Sequence, residues 1–400
     1  MNIFKKIYAR TYQFIFKLAI PILPYRKPII LDNTNKIKDE LIKSKINSVI
    51  IVTDKTIINL GLANNLISSL ENNGIKVSIY DGVIPNPTTK NVSDAKDIYI
   101  KNNCRAIIAF GGGSPMDCAK ALGAVIAKPK SSLNKMAGIL KVRKKIPPLF
   151  AIPSTAGTGS ETTLAAVIVD EVTRHKYAIN DFPLIPKYAI LDSSILKTLP
   201  PSIISSTGMD ALVHAIEAYI GRSTIKSTRR DSLEAIKLIF ENITEAYEEK
   251  TDKSLRNMLY ASHYAGRAFS KSYVGYVHAL SHALGGKYNV AHGLANSVIL
   301  PHVLECYDKS IYKKFKKIAI YTGLSNKNTS KEECFNIILN KIKELNNIFN
   351  MPKYFDCILK EDLDELVKHA YNEAYPLYPV PVLFNKQELK NIYLRVMKNE

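Results

Sequence analysis

What most constrains this chain is the point where its β-branched runs stop. Up to residue 192, short runs such as PIIL (28–31), SVIIVT (48–53), KVSIY (76–80), RAIIAF (105–110), LFAIP (149–153) and YAILD (188–192) alternate with helix-like stretches at 55–72 and 91–103. Such alternation requires right-handed crossovers and a mostly parallel sheet. After LPPS (199–202) the strand-like runs vanish and long helical stretches take over. The expected organisation is a basic arm over 1–27, an α/β domain over 28–195 and an all-helical domain over 196–400. At 400 residues two domains are natural, and the cleft between two such halves is the usual place for an active site.

Two glycine-bearing loops follow predicted strands. In AIIAFGGGSPMDCAKALG (106–123), Gly111, Gly112 and Gly113 let the backbone turn sharply and approach a ligand closely. Ser114, Pro115 and Asp117 read as N-cap, N1 and N3 of the next helix. Strand, turn and helix N-terminus then aim free amides at one point, an arrangement suited to a pyrophosphate. The spacing is neither GxGxxG nor a Walker loop, and a structural turn is the competing reading. PSTAGTGSE (153–161) ends another strand, and Thr155, Thr158 and Ser160 can each donate to phosphate or ribose oxygens. Asp54, just beyond SVIIVT, either caps a helix or accepts from ribose hydroxyls, where it would repel a 2′-phosphate.

A different chemistry interrupts the helical half. GMDALVHAIEAYIG (208–221) is apolar apart from Asp210, His214 and Glu217, whose spacings of four and three put them on one helical face. An apolar helix cannot hide a carboxylate cheaply unless something cationic meets it. In GYVHALSHALGGKYNVAHGLANSVILPH (275–302), His278 and His282 are again four apart, and His292 stands where a further helix begins. One aspartate and three of these histidines make a four-ligand set for a divalent ion, Fe(II) or Zn(II). Which three bind is open on spacing alone, and His282 reads equally as a ligand, a proton relay or a supporting group. His302 reads as a core histidine, and His175, His263 and His369 default to structure.

Together, GGGSPMDCAK, IPSTAGTGSE, GMDALVHAIEAY and VHALSHALGGKYNVAHGLANSVILPHV resemble the iron-containing (group III) alcohol dehydrogenase family. The resemblance implies a Rossmann-like N-terminal domain followed by a helical metal-binding domain, the architecture shared with dehydroquinate synthase. It implies Asp210, His214, His278 and His292 as metal ligands, with His282 close to the nicotinamide. Asp54, Asn86, Gly112, Gly113, Ser114, Thr155 and Thr158 match positions lining the dinucleotide, and Lys176 matches a lysine near it. The expected reaction is NAD(H)-dependent interconversion of a small alcohol and its aldehyde or ketone. NAD is expected over NADP because of Asp54, and a homodimer is expected from the family. The other readings are a dehydroquinate synthase-like carbon–oxygen lyase, a non-haem iron oxygenase and a catalytically dead membrane-bound protein. Ser154 stands where the family usually has threonine, and residues 1–27 have no counterpart in its pattern.

The charge bears on partners. A net charge of +19 invites a nucleic-acid reading. However, neither acid-free stretch, 1–31 or 128–145, interleaves aromatics as a base-stacking surface does, and no nucleic acid is expected. The segment MNIFKKIYARTYQFIFKLAIPILPYRKP lacks the uninterrupted core and cleavage site of a signal peptide. It reads either as a basic amphipathic helix on a membrane surface or, in preference, as an arm packed on its own or a neighbouring subunit. Five cysteines without a CxxC pair argue for a reducing interior, hence a cytoplasmic enzyme.

Overall fold

The structure is a computed structural model, and it describes residues 1–398. Chain contacts divide it into two compact units. One is Pro24–Leu199, and the other joins Met1–Leu23 to the chain from Pro200 onward.

The first unit is built on a six-stranded, all-parallel sheet. In chain order its nine strands are β1 (Ile29–Leu31), β2 (Ser48–Val52), β3 (Lys76–Tyr80), β4 (Ala106–Gly111), β5 (Gly138–Ile139), β6 (Leu149–Pro153), β7 (Ala165–Val169), β8 (Lys176–Asn180) and β9 (Tyr188–Ile190). The main sheet runs β1-β9-β6-β4-β2-β3, and every pairing in it is parallel. The central strands β2, β4 and β6 are buried along their whole length, as continuous apolar runs covered on both faces must be. Edge strand β3 is only partly buried, which is why KVSIY carries a lysine and a serine.

Chain direction reverses between β2 and β4: β2 connects outward to β3, and β4 connects the other way to β6. That reversal is a topological switch point, and ligands of open parallel sheets bind beyond the strand C-termini there. The loops after β2, β4 and β6 therefore share one edge of the sheet.

Two local readings need correction. The stretch 55–72 is two helices, Lys55–Asn59 and Asn64–Glu71, because Gly61 takes φ +66° between them. A second sheet, β5-β8-β7, was not foreseen, and it is held by an antiparallel β7–β8 hairpin.

The second unit is helical. At its centre lies the helix Pro201–Ile220, with fifteen of its twenty residues buried. A helix apolar on all sides is one that neighbours surround, and here they are the helices Lys226–Glu248, Asp252–Ser272 and His292–Tyr307. The N-terminal helix Ile3–Ala19 packs on this unit. Its Arg10 guanidinium donates to the carbonyls of Val380 (2.7 Å) and Pro381 (2.9 Å). Gln13 Nε2 donates to the Tyr378 carbonyl at 2.8 Å. Among the described residues no helix is long and apolar enough to cross a membrane.

Candidate active site

In the α/β unit, the three loops at the switch point meet. Gly111 has φ +147°, a conformation that L side chains rarely adopt, and a Cβ there would lie 2.5 Å from Pro115 Cγ. The same Cβ would lie 3.3 Å from Asp54 Oδ2, so that carboxylate oxygen faces the glycine turn. The other oxygen, Oδ1, accepts from the Ile57 amide at 3.1 Å. Asp54 thus caps a helix with one oxygen and offers the second to the turn. The capping reading of this residue is the one the geometry displays.

The cap of the helix Gly113–Ala127 is shifted from its expected register. Gly112 is the N-cap, and Ser114 and Pro115 fall inside the first turn. The extended backbone of Gly112 ends the strand two residues earlier than a serine cap would. The amides of the first turn are consequently left to whatever approaches the turn. Thr155 and Thr158 stand beside this loop, 3.9 Å and 3.6 Å from where side chains on Gly112 and Gly113 would begin. The β6 loop is tied to the glycine turn by the Ser154 amide donating to the Gly111 carbonyl at 3.0 Å.

Lys120, absent from the sequence reading, fixes that loop from below. Its buried ammonium donates to the Ser160 carbonyl (2.8 Å), Ser160 Oγ (2.9 Å), Thr163 Oγ1 (2.7 Å) and the Ala165 carbonyl (2.9 Å). Burial pulls its basicity down to about 8, against the pull of Asp117 and Glu161. Burial likewise pushes Asp117 up to about 6, with Lys120 the main opposing influence. Nearby, Lys176 Nζ donates to Asn86 Oδ1 at 2.8 Å, joining two of the expected cofactor contacts through the β7–β8 hairpin.

In the helical unit, Asp210, His214, His278 and His292 converge. One potential ligand atom from each lies within 4.8 Å of all the others. Asp210 Oδ1 is 3.3 Å from His292 Nε2, 3.7 Å from His278 Nε2 and 3.9 Å from His214 Nδ1. Tetrahedral bonds of about 2.1 Å would separate ligand atoms by about 3.4 Å, so the donor set fits a first-row divalent ion with small adjustments. His214 Nδ1 supports the fit, being buried without a hydrogen-bond partner. Burial drives that imidazole down to about 3, leaving it in the neutral form that ligates. Burial would raise Asp210, but its imidazole neighbours, with hydrogen bonds from His278 and His292 among their effects, hold the carboxyl well below its usual range.

The contacts that support these four side chains come from residues distant in the sequence. Glu217 accepts from the Gly275 amide (2.8 Å), the Val277 amide (2.8 Å) and His278 Nδ1 (2.6 Å). It therefore fixes the His278 tautomer and turns the Nε2 lone pair toward Asp210. Asn296 Nδ2 donates to Asp210 Oδ1 at 2.7 Å, while Phe269 stacks on His214 with ring centres 4.1 Å apart. Close helix packing delivers His292. A Cβ on Gly293 would fall 2.2 Å from the Ser206 carbonyl oxygen, so only glycine permits this crossing. His282 stands beside the four, stacked on His292 at 5.0 Å. Its Nδ1 lies 2.6 Å from Glu373 Oε1, which also accepts from the Tyr378 hydroxyl at 2.6 Å.

Sequence and structure comparisons give this geometry its context. The sequence pattern of iron-containing alcohol dehydrogenase matches residues 30–193, and that of the Fe-containing alcohol dehydrogenase family, C-terminal, matches residues 204–397. The chain is 36% identical over 356 residues to alcohol dehydrogenase 4 of Saccharomyces cerevisiae (strain YJM789), covering 88% of this chain and 91% of that one. It is 33% identical over 339 residues to lactaldehyde reductase of Escherichia coli (strain K12), covering 84% and 88%. A crystal structure of 1,3-propanediol oxidoreductase superposes with a TM-score of 0.89 at 30% identity, covering 93% of this chain and 99% of that one. With both units matched along nearly their whole length, the chain belongs to the iron-containing alcohol dehydrogenase family and is an oxidoreductase acting on alcohols.

Proposed function

We propose that this protein interconverts a small alcohol and its aldehyde or ketone with NAD(H), using a divalent ion held by Asp210, His214, His278 and His292. The observation that carries the reading is the convergence of these four side chains, three of them buried, on and beside the otherwise apolar helix Pro201–Ile220. A bound Fe(II) or Zn(II) ion would supply Lewis acidity toward the substrate oxygen, and the dinucleotide would supply the hydride acceptor or donor.

The chain's own residues do the rest. Glu217 and Phe269 hold His278 and His214 in the orientation that presents their nitrogens. The glycine turn and Thr155 and Thr158 receive the pyrophosphate, with Asn86 and Lys176 beside them. Asp54 takes the ribose hydroxyls and selects NAD over NADP. His282, backed by Glu373, carries the alcohol proton away. Relatives named for alcohol, lactaldehyde and propanediol chemistry favour this reading over a dehydroquinate synthase-like lyase.

The test is anaerobic reconstitution with Fe(II) or Zn(II), followed by a screen of short alcohols and aldehydes at the NADH absorbance. His278→Ala should lose metal and turnover together while still binding NADH, whereas His282→Ala should keep its metal and lose turnover. Full activity in metal-free His278→Ala would end the assignment.

A further inference from the structure

The helix Ile3–Ala19 sits on the helical unit in an inverted way. Its buried face is built from Ala9 and Gln13, and the polar side chains of Arg10 and Gln13 fasten it to the 376–381 loop. The large apolar side chains of Phe4, Ile7, Tyr8, Phe14, Ile15 and Leu18 point away, each more than half exposed, with Phe4 at 76%. At 100° per residue these six fall within one face opposite Ala9 and Gln13. Ile22, just past the helix, extends the face at 83% exposure. A contiguous exposed stripe of this kind marks an interaction surface. It precedes residue 30, where the family match begins.

Charge indicates what covers it. On one flank of the stripe the helix carries Lys6, Arg10 and Lys17. Lys17 is also in the wall of a groove of about 660 Å³ together with Arg222, Arg229, Lys313, Lys314 and Lys317. No carboxylate lines that groove among the described residues. Lys314 Nζ donates to the carbonyls of Ile220 (2.5 Å) and Gly221 (2.8 Å). Burial, with Lys17, Arg229 and Arg222 close by, lowers its basicity to about 8. The groove is thus an uncompensated concentration of cations next to an outward apolar helix face. A second copy seated symmetrically on this face would bring the same cations against it, in a chain already at +19. An anionic bilayer complements both features, burying the stripe at the acyl boundary while phosphate and carboxylate headgroups meet the lysines.

We propose that this surface docks the protein peripherally on an anionic phospholipid membrane, with the helix Ile3–Ala19 lying in the interface and the Lys17–Lys317 groove receiving headgroups.

The test is co-sedimentation of the metal-loaded full-length protein with two kinds of vesicle, phosphatidylcholine containing phosphatidylserine and phosphatidylcholine alone. Sedimentation velocity of each variant runs in parallel. Binding should require phosphatidylserine and weaken steeply with added salt. Lys313→Gln with Lys317→Gln should lower partitioning about tenfold or more, since each surface cation contributes about fivefold. Phe14→Ser with Leu18→Ser should lower it at least as much. Both double variants should keep wild-type alcohol oxidation, because none of these side chains belongs to the site. Absence of phosphatidylserine-dependent sedimentation would overturn the proposal. So would a fall in oligomeric state in the Phe14→Ser/Leu18→Ser protein, which would make the stripe a contact between copies.

Discussion

The two halves of the candidate machinery are made of opposite materials. The dinucleotide end, in the α/β unit, is mostly backbone: a glycine at positive φ, a helix start without a side-chain cap and a loop pinned by a lysine beneath it. The histidine end, in the helical unit, is entirely side chain, with four donors on helices and each oriented by something else. Backbone sites are injured by adding atoms, whereas side-chain sites are injured by changing the identity of groups already present. The two ends should therefore fail under different substitutions.

Outside the four candidate ligands and His282, the largest effect is expected at Glu217. Its carboxylate accepts three hydrogen bonds, two of them from backbone amides that no rearrangement can withdraw. In Glu217→Gln one end becomes an NH₂ group that must face a donor: at the Oε1 position the Val277 amide loses its partner, and at the Oε2 position the Gly275 amide and His278 Nδ1 both do. The expected result is a 10- to 100-fold loss of metal affinity, read by competition with a chelator. Unchanged affinity would mean that His278 needs no outside orientation and would blur the contrast between the two ends.

The next effect lies at Gly111. Alanine there meets both φ +147° and Pro115 Cγ at 2.5 Å, so the turn must open. A stability loss of about 1–3 kcal/mol is expected from strain and overlap, together with weaker NADH binding and unaltered metal content. Thermal unfolding and cofactor titration on the same sample check both parts. Metal loss in Gly111→Ala would show that the ends are not separable.

How much of this could be read beforehand follows the same division. The six parallel strands, the glycine turn and the Asp210–His214 and His278–His292 groups all rest on local signals of period or spacing, and each was visible. The β5-β8-β7 sheet was missed because β5 is two residues long and β7 has no strong alternation against its neighbours. Glu217 was legible as a buried acid, but its partners sit some sixty residues away. Nothing local announces that the 275–277 amides will face it. Lys120 hid in the same way, forty residues from the carbonyl it holds. The cap at Gly112 was misread because serine is the commoner N-cap, and a strand that ends early needs no such cap.

The smallest expected effect is also the most discriminating about cofactor choice. Asp54 divides its work between its two oxygens, one capping the helix Lys55–Asn59 and one facing the glycine turn. Serine retains a hydroxyl for the cap but brings no negative charge to the turn. Asp54→Ser should therefore leave thermal stability within about 0.5 kcal/mol, while removing the repulsion that a 2′-phosphate would meet. The ratio of kcat/KM for NADPH to that for NADH should rise about tenfold, a change of about 1.4 kcal/mol between the two cofactors. If stability falls and the cofactor ratio stays fixed, Asp54 is a helix cap alone. The dinucleotide end would then owe its selectivity, like its shape, to backbone.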